Sequence, residues 1–379
     1  MALALNEEQR LLKDTAADFL KKNSPMEQFR HLRDTKDDLG YNQELWESQI
    51  ELGWTSIALS EQYGGLDFGY QGLGLVMEEL GRSLAPSPLF STVCLCAPII
   101  SLMGNEVQKE TYLTQIATGD LKVALALEET RHHNPCNISV SAEKTAEGYI
   151  LNGKKVFVID GHFSDYLIVV ARTKGEQQDK SGISLFLVDR NTSGIDIVRT
   201  TMLDGHNAAN VSFENVAIPS EALLGEEDNG FEKLDMGLDY GRILLSAYLY
   251  GLSQEVFDRT LSYLKEREQF DAKIGSFQAL KHRASKMYIK LEMAKSTVLS
   301  SLTELDNGGN NLAVSSSLTK SFLNEISTLI ANEGIQMHGG IGMTDEFDIG
   351  LFFKRIKVCV VALGDEVYHK DRYAVLKGY

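Results

Sequence analysis

Tyr149-Ile-Leu-Asn-Gly-Lys-Lys-Val-Phe-Val-Ile159 is the stretch on which the fold turns. Tyr149-Ile-Leu151 and Lys155-Val-Phe-Val-Ile159 read as strands, rich in the aromatic and β-branched residues that suit a pleated surface. Asn152-Gly153 between them is a hairpin signal, since both central positions of a tight hairpin turn need positive φ. Working outward, Val123-Ala-Leu-Ala-Leu127, Ile138-Ser-Val-Ser-Ala142, Tyr166-Leu-Ile-Val-Val-Ala171, Ile183-Ser-Leu-Phe-Leu-Val188, Ile195-Asp-Ile-Val198 and Val211-Ser-Phe213 read as further strands. About eight short strands in roughly a hundred residues predict a β-sandwich or barrel.

On both sides of this block the period is helical. Asn6 with Gln9 three positions later is a capping pattern, and Leu12, Ala16, Phe19 and Leu20 follow on one face. Trp46 to Leu52, Leu73 to Leu84 and Asn105 to Leu113 continue as helices, broken at Ser60-Glu-Gln-Tyr-Gly-Gly65 and Ala85-Pro-Ser-Pro88. After Gly230, Ile243, Tyr250, Phe257, Leu261 and Leu264 form one long apolar stripe. Met287, Leu291, Val298 and Leu302 form a second, ended by Asp306-Asn-Gly-Gly-Asn310. Leu318, Phe322, Ile326, Leu329 and Ile330 form a third, and a last helix begins after Asp348. Long helices with short connections make a bundle. The expectation is an α+β multidomain chain: an N-terminal helical domain over 1–121, a middle β-domain over 122–227 and a C-terminal four-helix bundle over 228–379.

Charge and composition narrow the function. Among 379 residues, 37 Lys+Arg stand against 53 Asp+Glu, a formal net charge of −16. That argues against nucleic acid as a partner, because phosphate neutralisation needs a clustered basic surface. The four cysteines, Cys94, Cys96, Cys136 and Cys359, lack zinc-ligand spacing and read as reduced thiols. Met1-Ala-Leu-Ala-Leu5 runs into Asn6-Glu-Glu-Gln9, too short and too acidic for a secretory leader. The longest largely apolar stretch, Leu89 to Met103, falls short of the roughly 20 residues that cross a bilayer. No membrane partner and a cytoplasmic location are expected.

Few residues declare chemistry alone. Adjacent His132 and His133 would point to opposite faces of a strand and could not share a metal ion. Gly339-Gly-Ile-Gly342 follows a helix rather than a strand, so it is no dinucleotide fingerprint, and a bare turn is the plainer reading. Lys265-Glu-Arg-Glu-Gln-Phe270 reads locally as a solvated helix end, and Asp365-Glu366 as one acidic pair in an acidic chain.

Taken together, the ordered motifs are more specific. The chain resembles the flavin-dependent acyl-CoA dehydrogenase family from end to end. The resemblance runs through Ser60-Glu-Gln-Tyr-Gly-Gly65, Glu78-Glu-Leu-Gly-Arg82 with Pro86 and Pro88, and Gly104-Asn-Glu-Val-Gln-Lys109. It continues through Leu151-Asn-Gly-Lys-Lys155, Val211-Ser-Phe-Glu-Asn-Val-Ala-Ile-Pro219, Leu223-Leu-Gly225, Phe277-Gln278, His282 and Gln336-Met-His-Gly-Gly340. It implies FAD as cofactor, an acyl-CoA thioester as substrate, Cα–Cβ desaturation as reaction, and an electron-transfer flavoprotein or similar acceptor. A positioned carboxylate takes the weakly acidic α-proton while the β-hydrogen leaves as hydride to the flavin.

Several positions depart from that pattern. Where the family usually carries the base, in a Tyr-Glu-Gly segment, this chain has Ala362-Leu363-Gly364. The rarer alternative, a Glu just before an Arg on the first bundle helix, is Gly241-Arg242 here. The family's Thr-Glu-Pro and Gly-Ser-Asp stretch becomes Glu128-Glu-Thr130 and His132-His-Asn-Pro135, and its Trp-x-Thr becomes Phe157-Val-Ile159. Glu128 and Glu129 are expected to add negative charge beside an anionic cofactor. By contrast, Arg267, Phe270, Gln278, Gln336, Gly339 and Gly340 match the positions that resemblance assigns to the FAD of a neighbouring subunit. Arg suits that role because its planar fork binds phosphate oxygens in pairs. The resemblance therefore assigns no catalytic residue to this chain. It implies the base-less partner in a heteromeric enzyme that shares FAD across an interface, of a kind that takes bulky acyl-CoAs, including steroid side-chain thioesters. A homo-oligomer (dimer of dimers), a stand-alone flavoenzyme with a displaced base such as Asp365 or Asp239, and a non-redox acyl-CoA-binding protein are the alternatives.

Overall fold

A computed structural model describes residues 4–309 and 311–379. Met1 to Leu3 of the opening segment, and Asn310 after Asp306, lie outside the described residues. The chain opens with helices α1 (Glu7–Asn23), α2 (Met26–Thr35), α3 (Gln43–Glu51) and α4 (Tyr70–Ser83). A π-helical turn, Phe90–Cys96, runs into α5 (Ala97–Met103), and α6 (Glu106–Ala117) follows. Asn6 caps α1 as its spacing predicts, with Gln9 N–H donating to Asn6 Oδ1 at 2.8 Å and Asn6 N–H to Gln9 Oε1 at 3.0 Å. Asn105 and Gln108 repeat that box on α6, which therefore runs past Leu113 to Ala117. The apolar stretch around Leu89 to Met103 is a core wall, with Leu89, Val93, Cys94, Cys96, Ile99 and Ile100 all buried. Among the described residues no helix is long and apolar enough to cross a membrane.

The middle block is a mixed, eight-stranded sheet. Its strands are β1 (Val123–Ala126), β2 (Ser141–Lys144), β3 (Gly148–Ile159), β4 (Tyr166–Arg172), β5 (Ile183–Asp189), β6 (Ile195–Thr201), β7 (Asn207–Pro219) and β8 (Leu223–Leu224). The order is β6-β7-β3-β2-β4-β5-β8, and β1 lies parallel to β4. Leu151, Leu167, Val169, Phe186, Val211, Phe213 and Val216 share its core.

Asn152-Gly153 is not a hairpin. It lies inside the continuous strand β3, at a register shift against β7, with Gly153 at φ +135°. Val140 packs so closely there that a Cβ on residue 153 would meet it at 2.9 Å, and Asn215 N–H donates to Asn152 Oδ1 at 2.8 Å. The glycine serves a bulge, which needs the same backbone freedom as a turn. The β2–β3 reversal falls earlier, where Thr145 N–H donates to Gly148 O at 2.8 Å. Likewise β2 starts at Ser141 rather than Ile138.

Helices then dominate to the end. They are α7 (Phe231–Glu266), α8 (Gln278–Asp306), α9 (Leu312–His338), α10 (Ile349–Cys359) and α11 (Glu366–Lys377), with a short hairpin of β9 (Glu268–Gln269) and β10 (Ala272–Lys273) after α7. The α, β, α order of the sequence is the order of the structure. Helix α9 packs against α8, α10 and α11. Its inward face follows the expected stripe only in part: Ile326 and Ile330 are buried, but so are Ser316, Ser317, Thr319, Lys320, Asn324 and Ser327, while Leu318 and Leu329 are exposed. Periodicity finds an apolar face but not whether the same chain covers it.

Two compact units emerge, one of Met1–Asp34, Tyr70–Pro86 and Arg242–Tyr379, the other of Thr35–Gly69 and Ser87–Gly241. In the first, Asp306 at the end of α8 caps α4, accepting Tyr70 N–H at 2.5 Å and Gln71 N–H at 3.1 Å. Glu79 on α4 is buried. Burial, with the neighbouring Glu78 charge, pushes its carboxyl up to about 7. Its folded pKa lies above the ordinary 4.5, so its stabilising contribution is full below that value and lost as pH rises through about 7. Glu79→Gln is expected to flatten the pH dependence of urea unfolding between about pH 5 and about pH 8 and to stabilise the chain at the upper end.

Candidate functional site

Three places carry chemistry, each within one unit. The first lies where α7, α8 and α9 end or begin. Arg267 follows α7, and its carbonyl accepts Ile274 N–H at 2.9 Å, which closes the β9–β10 hairpin. Phe270 and Asp271 form the hairpin tip with φ +55° and +60°, the two positive angles of a type I′ turn. Phe270 is 89% exposed there, edge-on to Phe277 at 6.3 Å. Gln278 starts α8 and Gln336 lies on the last turn of α9, both exposed. Arg283 Nε donates to Glu333 at 2.5 Å and ties those two helix ends together.

Gly339 and Gly340 follow α9, with nothing within 4 Å of where a Cβ would sit. His338 stacks on Tyr263 at 4.5 Å, so the Gln336–Gly340 end and the Arg267 end meet. Arg267 and His338 line one cavity of about 670 Å³ with Tyr263 and Phe347. Among the described residues Arg267 forms no ion pair. Nearby Glu268 is taken by Lys273 at 2.7 Å. The fork is left open for a ligand anion.

The second place is the turn Ala362-Leu363-Gly364 between α10 and α11. Leu363 has φ +55° and Gly364 φ +111°. A left-handed backbone at a non-glycine residue costs on the order of 1–2 kcal/mol, so the turn must be held. Arg242 Nε donates to Leu363 O at 3.3 Å and His369 Nε2 at 3.0 Å. Lys320 Nζ and Asn324 Nδ2 donate to Gly364 O at 3.2 and 3.3 Å. Lys320 also donates to Asn324 Oδ1 at 2.7 Å and Cys359 O at 3.1 Å. Burial lowers its ammonium to about 7. Sequence reasoning missed this clamp; the only trace is a lone lysine among serines and threonines on α9. The Leu363 side chain, itself buried, offers no proton acceptor. Asp365 is the N-cap of α11, accepting Tyr368 N–H at 2.8 Å, so it is committed to the helix. Asp239 is buried on α7.

The third place is the sheet end after β1. Glu129 does not add charge outward as expected. It points inward and pairs with Lys155 Nζ at 2.7 Å, and both side chains are buried. Burial alone would raise Glu129, but the Lys155 charge and hydrogen bonds from Ser139 and Val140 outweigh it, and its pKa falls. Burial lowers Lys155 to about 8. Glu128 accepts His133 Nδ1–H at 2.5 Å, which gives His133 a carboxylate partner rather than a metal. Residues 128–134 lie outside any strand, with bends at 130–132. Phe157 sits at φ +52° beside a second register shift in β3. A separate cavity of about 690 Å³ in the same unit is lined by Lys180, Ser181, Lys233 and the first residues of α7, beside Glu226, Asp228, Glu232 and Asp235.

Family models agree with this architecture. The acyl-CoA dehydrogenase N-terminal domain matches residues 6–120, the middle domain 126–216 and the C-terminal domain 228–374. The chain belongs to the acyl-CoA dehydrogenase family. It is 33% identical over 368 residues to the mitochondrial isovaleryl-CoA dehydrogenase of Pongo abelii, across 95% of this chain and 86% of that protein. Butyryl-CoA dehydrogenase from Megasphaera elsdenii superposes with TM-score 0.91 at 26% identity, covering 100% of both chains. The Tcur3481–Tcur3483 steroid acyl-CoA dehydrogenase superposes with TM-score 0.86 at 26% identity, covering 98% of both.

Acyl-CoA dehydrogenases are FAD-dependent oxidoreductases acting on a CH–CH bond, and the residues present divide on that cofactor. At the helix ends, an unpaired guanidinium and two glycines open to close backbone approach suit a phosphate-bearing ligand. At the sheet end the fit is poor, because a carboxylate–imidazole pair and Ile159 stand where hydroxyl donors would be needed. Lys320→Met, which strands buried carbonyls, is expected to lower unfolding stability by about 2–4 kcal/mol in a denaturant titration. Arg267→Ala, at an exposed position without a partner, is expected to stay within about 0.5 kcal/mol of the parent.

Proposed function

We propose that this chain is the base-less, FAD-sharing subunit of a heteromeric acyl-CoA dehydrogenase. The observation that carries the reading is Leu363: the turn is strained and clamped by four side chains, yet it presents a hydrocarbon where the family presents a carboxylate. With Gly241 before Arg242, neither family position supplies a base. Asp365, capping α11, is a poor substitute. In such an enzyme FAD accepts the hydride from Cβ when bound, and the α-proton goes to a carboxylate of the partner.

This chain's own contribution is at the interface. Arg267 would hold pyrophosphate oxygens, Gly339 and Gly340 would let backbone N–H groups approach them, and Phe270, Gln278 and Gln336 would receive the adenosine end. A further surface suits a partner chain. Tyr288, Ile289, Met293, Leu318 and Phe322 line an apolar groove of about 640 Å³ on α8 and α9, with Tyr288, Ile289, Met293 and Leu318 each about half exposed. A bulky acyl-CoA, such as a steroid side-chain thioester, is the proposed substrate class, by likeness to the steroid enzyme above. An electron-transfer flavoprotein or similar carrier is the proposed acceptor.

Coexpression with a related chain that carries the family Glu is expected to give a yellow complex that oxidises acyl-CoA, while this chain alone shows no turnover. Turnover by the isolated chain would overturn the reading. Within the complex, Arg267→Ala is expected to weaken FAD retention about tenfold, read as flavin content after gel filtration. Asp365→Asn, which keeps the cap, is expected to leave activity unchanged.

A further inference from the structure

What the sheet end after β1 can bind depends on where its hydrogen-bond donors point. A flavin ring presents a uracil-like edge of carbonyl oxygens and ring nitrogens, so a pocket for it needs free donors. Here several of the local donors are committed. Val156 N–H goes to Glu128 O at 2.7 Å. Ser139 and Val140 N–H go to Glu129 at 2.7 and 3.0 Å, and Ser139 Oγ–H goes to the same carboxylate. Lys155 Nζ is shared between Leu127 O and Glu129. Thr130 Oγ1–H turns back to His132 O at 3.0 Å. Ile159, at the end of β3, has no hydroxyl to add.

Beside these bonds lies the Glu128–His133 pair. The His133 side chain is 3% exposed and that of Glu128 16%, so the imidazole is packed in and the carboxylate is the member of the pair that solvent reaches. A buried imidazole held by a carboxylate is hard to displace, because breaking the pair gives up a charge-assisted hydrogen bond inside the protein. The carboxylate it leaves at the surface also repels an anionic dinucleotide.

We propose that the Glu128–His133 pair is a plug that keeps this subunit's own flavin ring out, so that FAD reaches the assembly only through a partner. The inference deepens the FAD-sharing reading and rests on it for where the ring would lie. It accounts for what that reading leaves open: how a chain that keeps its phosphate-facing residues avoids filling a flavin site of its own.

The plug can be tested by flavin binding, with no turnover needed. The purified chain and its Glu128→Thr/His133→Gly variant are titrated with FAD, and bound flavin is read by absorbance after gel filtration. The parent is expected to retain little FAD, and the variant to bind it about tenfold or more tightly, because opening a closed state raises apparent affinity by the fraction released. One FAD per parent chain, or a folded variant that gains none, would overturn the proposal. Ile159→Thr restores a hydroxyl without touching the pair and guards against loss of fold in the double variant. It is expected to gain far less, and a gain equal to the double variant would assign the exclusion to residue 159 instead. A parent that excludes FAD yet forms no active complex would sink the FAD-sharing role while leaving the plug standing.

Discussion

The C-terminal helices are organised around one buried ammonium. Lys320 Nζ reaches Asn324 on its own helix, the last carbonyls of α10 and Gly364 beyond it, so a single group joins α9, α10 and the turn into α11. An ammonium taken from water must regain its hydrogen bonds inside or lose its charge. Four acceptors, Asn324 Oδ1 and the carbonyls of Cys359, Val360 and Gly364, meet that need, and their positions leave the turn at Leu363 almost no freedom. Arg242 and His369 complete the hold from α7 and α11. A strained turn braced so heavily holds its backbone in one geometry, and in this chain the residue at its apex is the hydrocarbon Leu363.

Charge pairing separates structural from ligand-facing groups. Arg82 is matched by Glu255 and Asp258, Arg259 by Glu255 and Asp348, and Arg30 and Arg33 by Asp345 and Asp348. Lys155 is matched by Glu129 inside the sheet. Arg267, by contrast, forms no ion pair among the described residues, and it lines the cavity at the helix ends. The same logic corrects the reading of the two glutamates. Glu129 is spent on Lys155, so only Glu128 bears on what the sheet end can bind.

Much of the fold was legible because it rests on local periodicity. The apolar repeats of α7 and α8, the capping boxes at Asn6 and Asn105, and the strands β4 and β5 follow from spacing and composition. The errors have a common cause. Asn152-Gly153 read as a hairpin because a bulge and a turn ask the same backbone freedom of glycine, and only pairing with β7 distinguishes them. On α9 the apolar stripe held at Ile326 and Ile330 and failed at Leu318 and Leu329, because the chain also buries the serine, threonine and lysine face.

By itself, the sequence determined the order of helical and strand blocks, the family through its ordered motifs, and the absence of a glutamate at 241 and 363, since these depend on residue identity and short-range pattern. Tertiary structure decided which charges are spent and which remain available. The Lys155–Glu129 pair spans 26 positions, and the Lys320–Gly364 bond 44. Contacts of that range depend on how distant elements are brought together, and local propensity carries no record of it. That is why the turn around Leu363 and the closed sheet end at Glu128 and His133 became visible only in the folded chain.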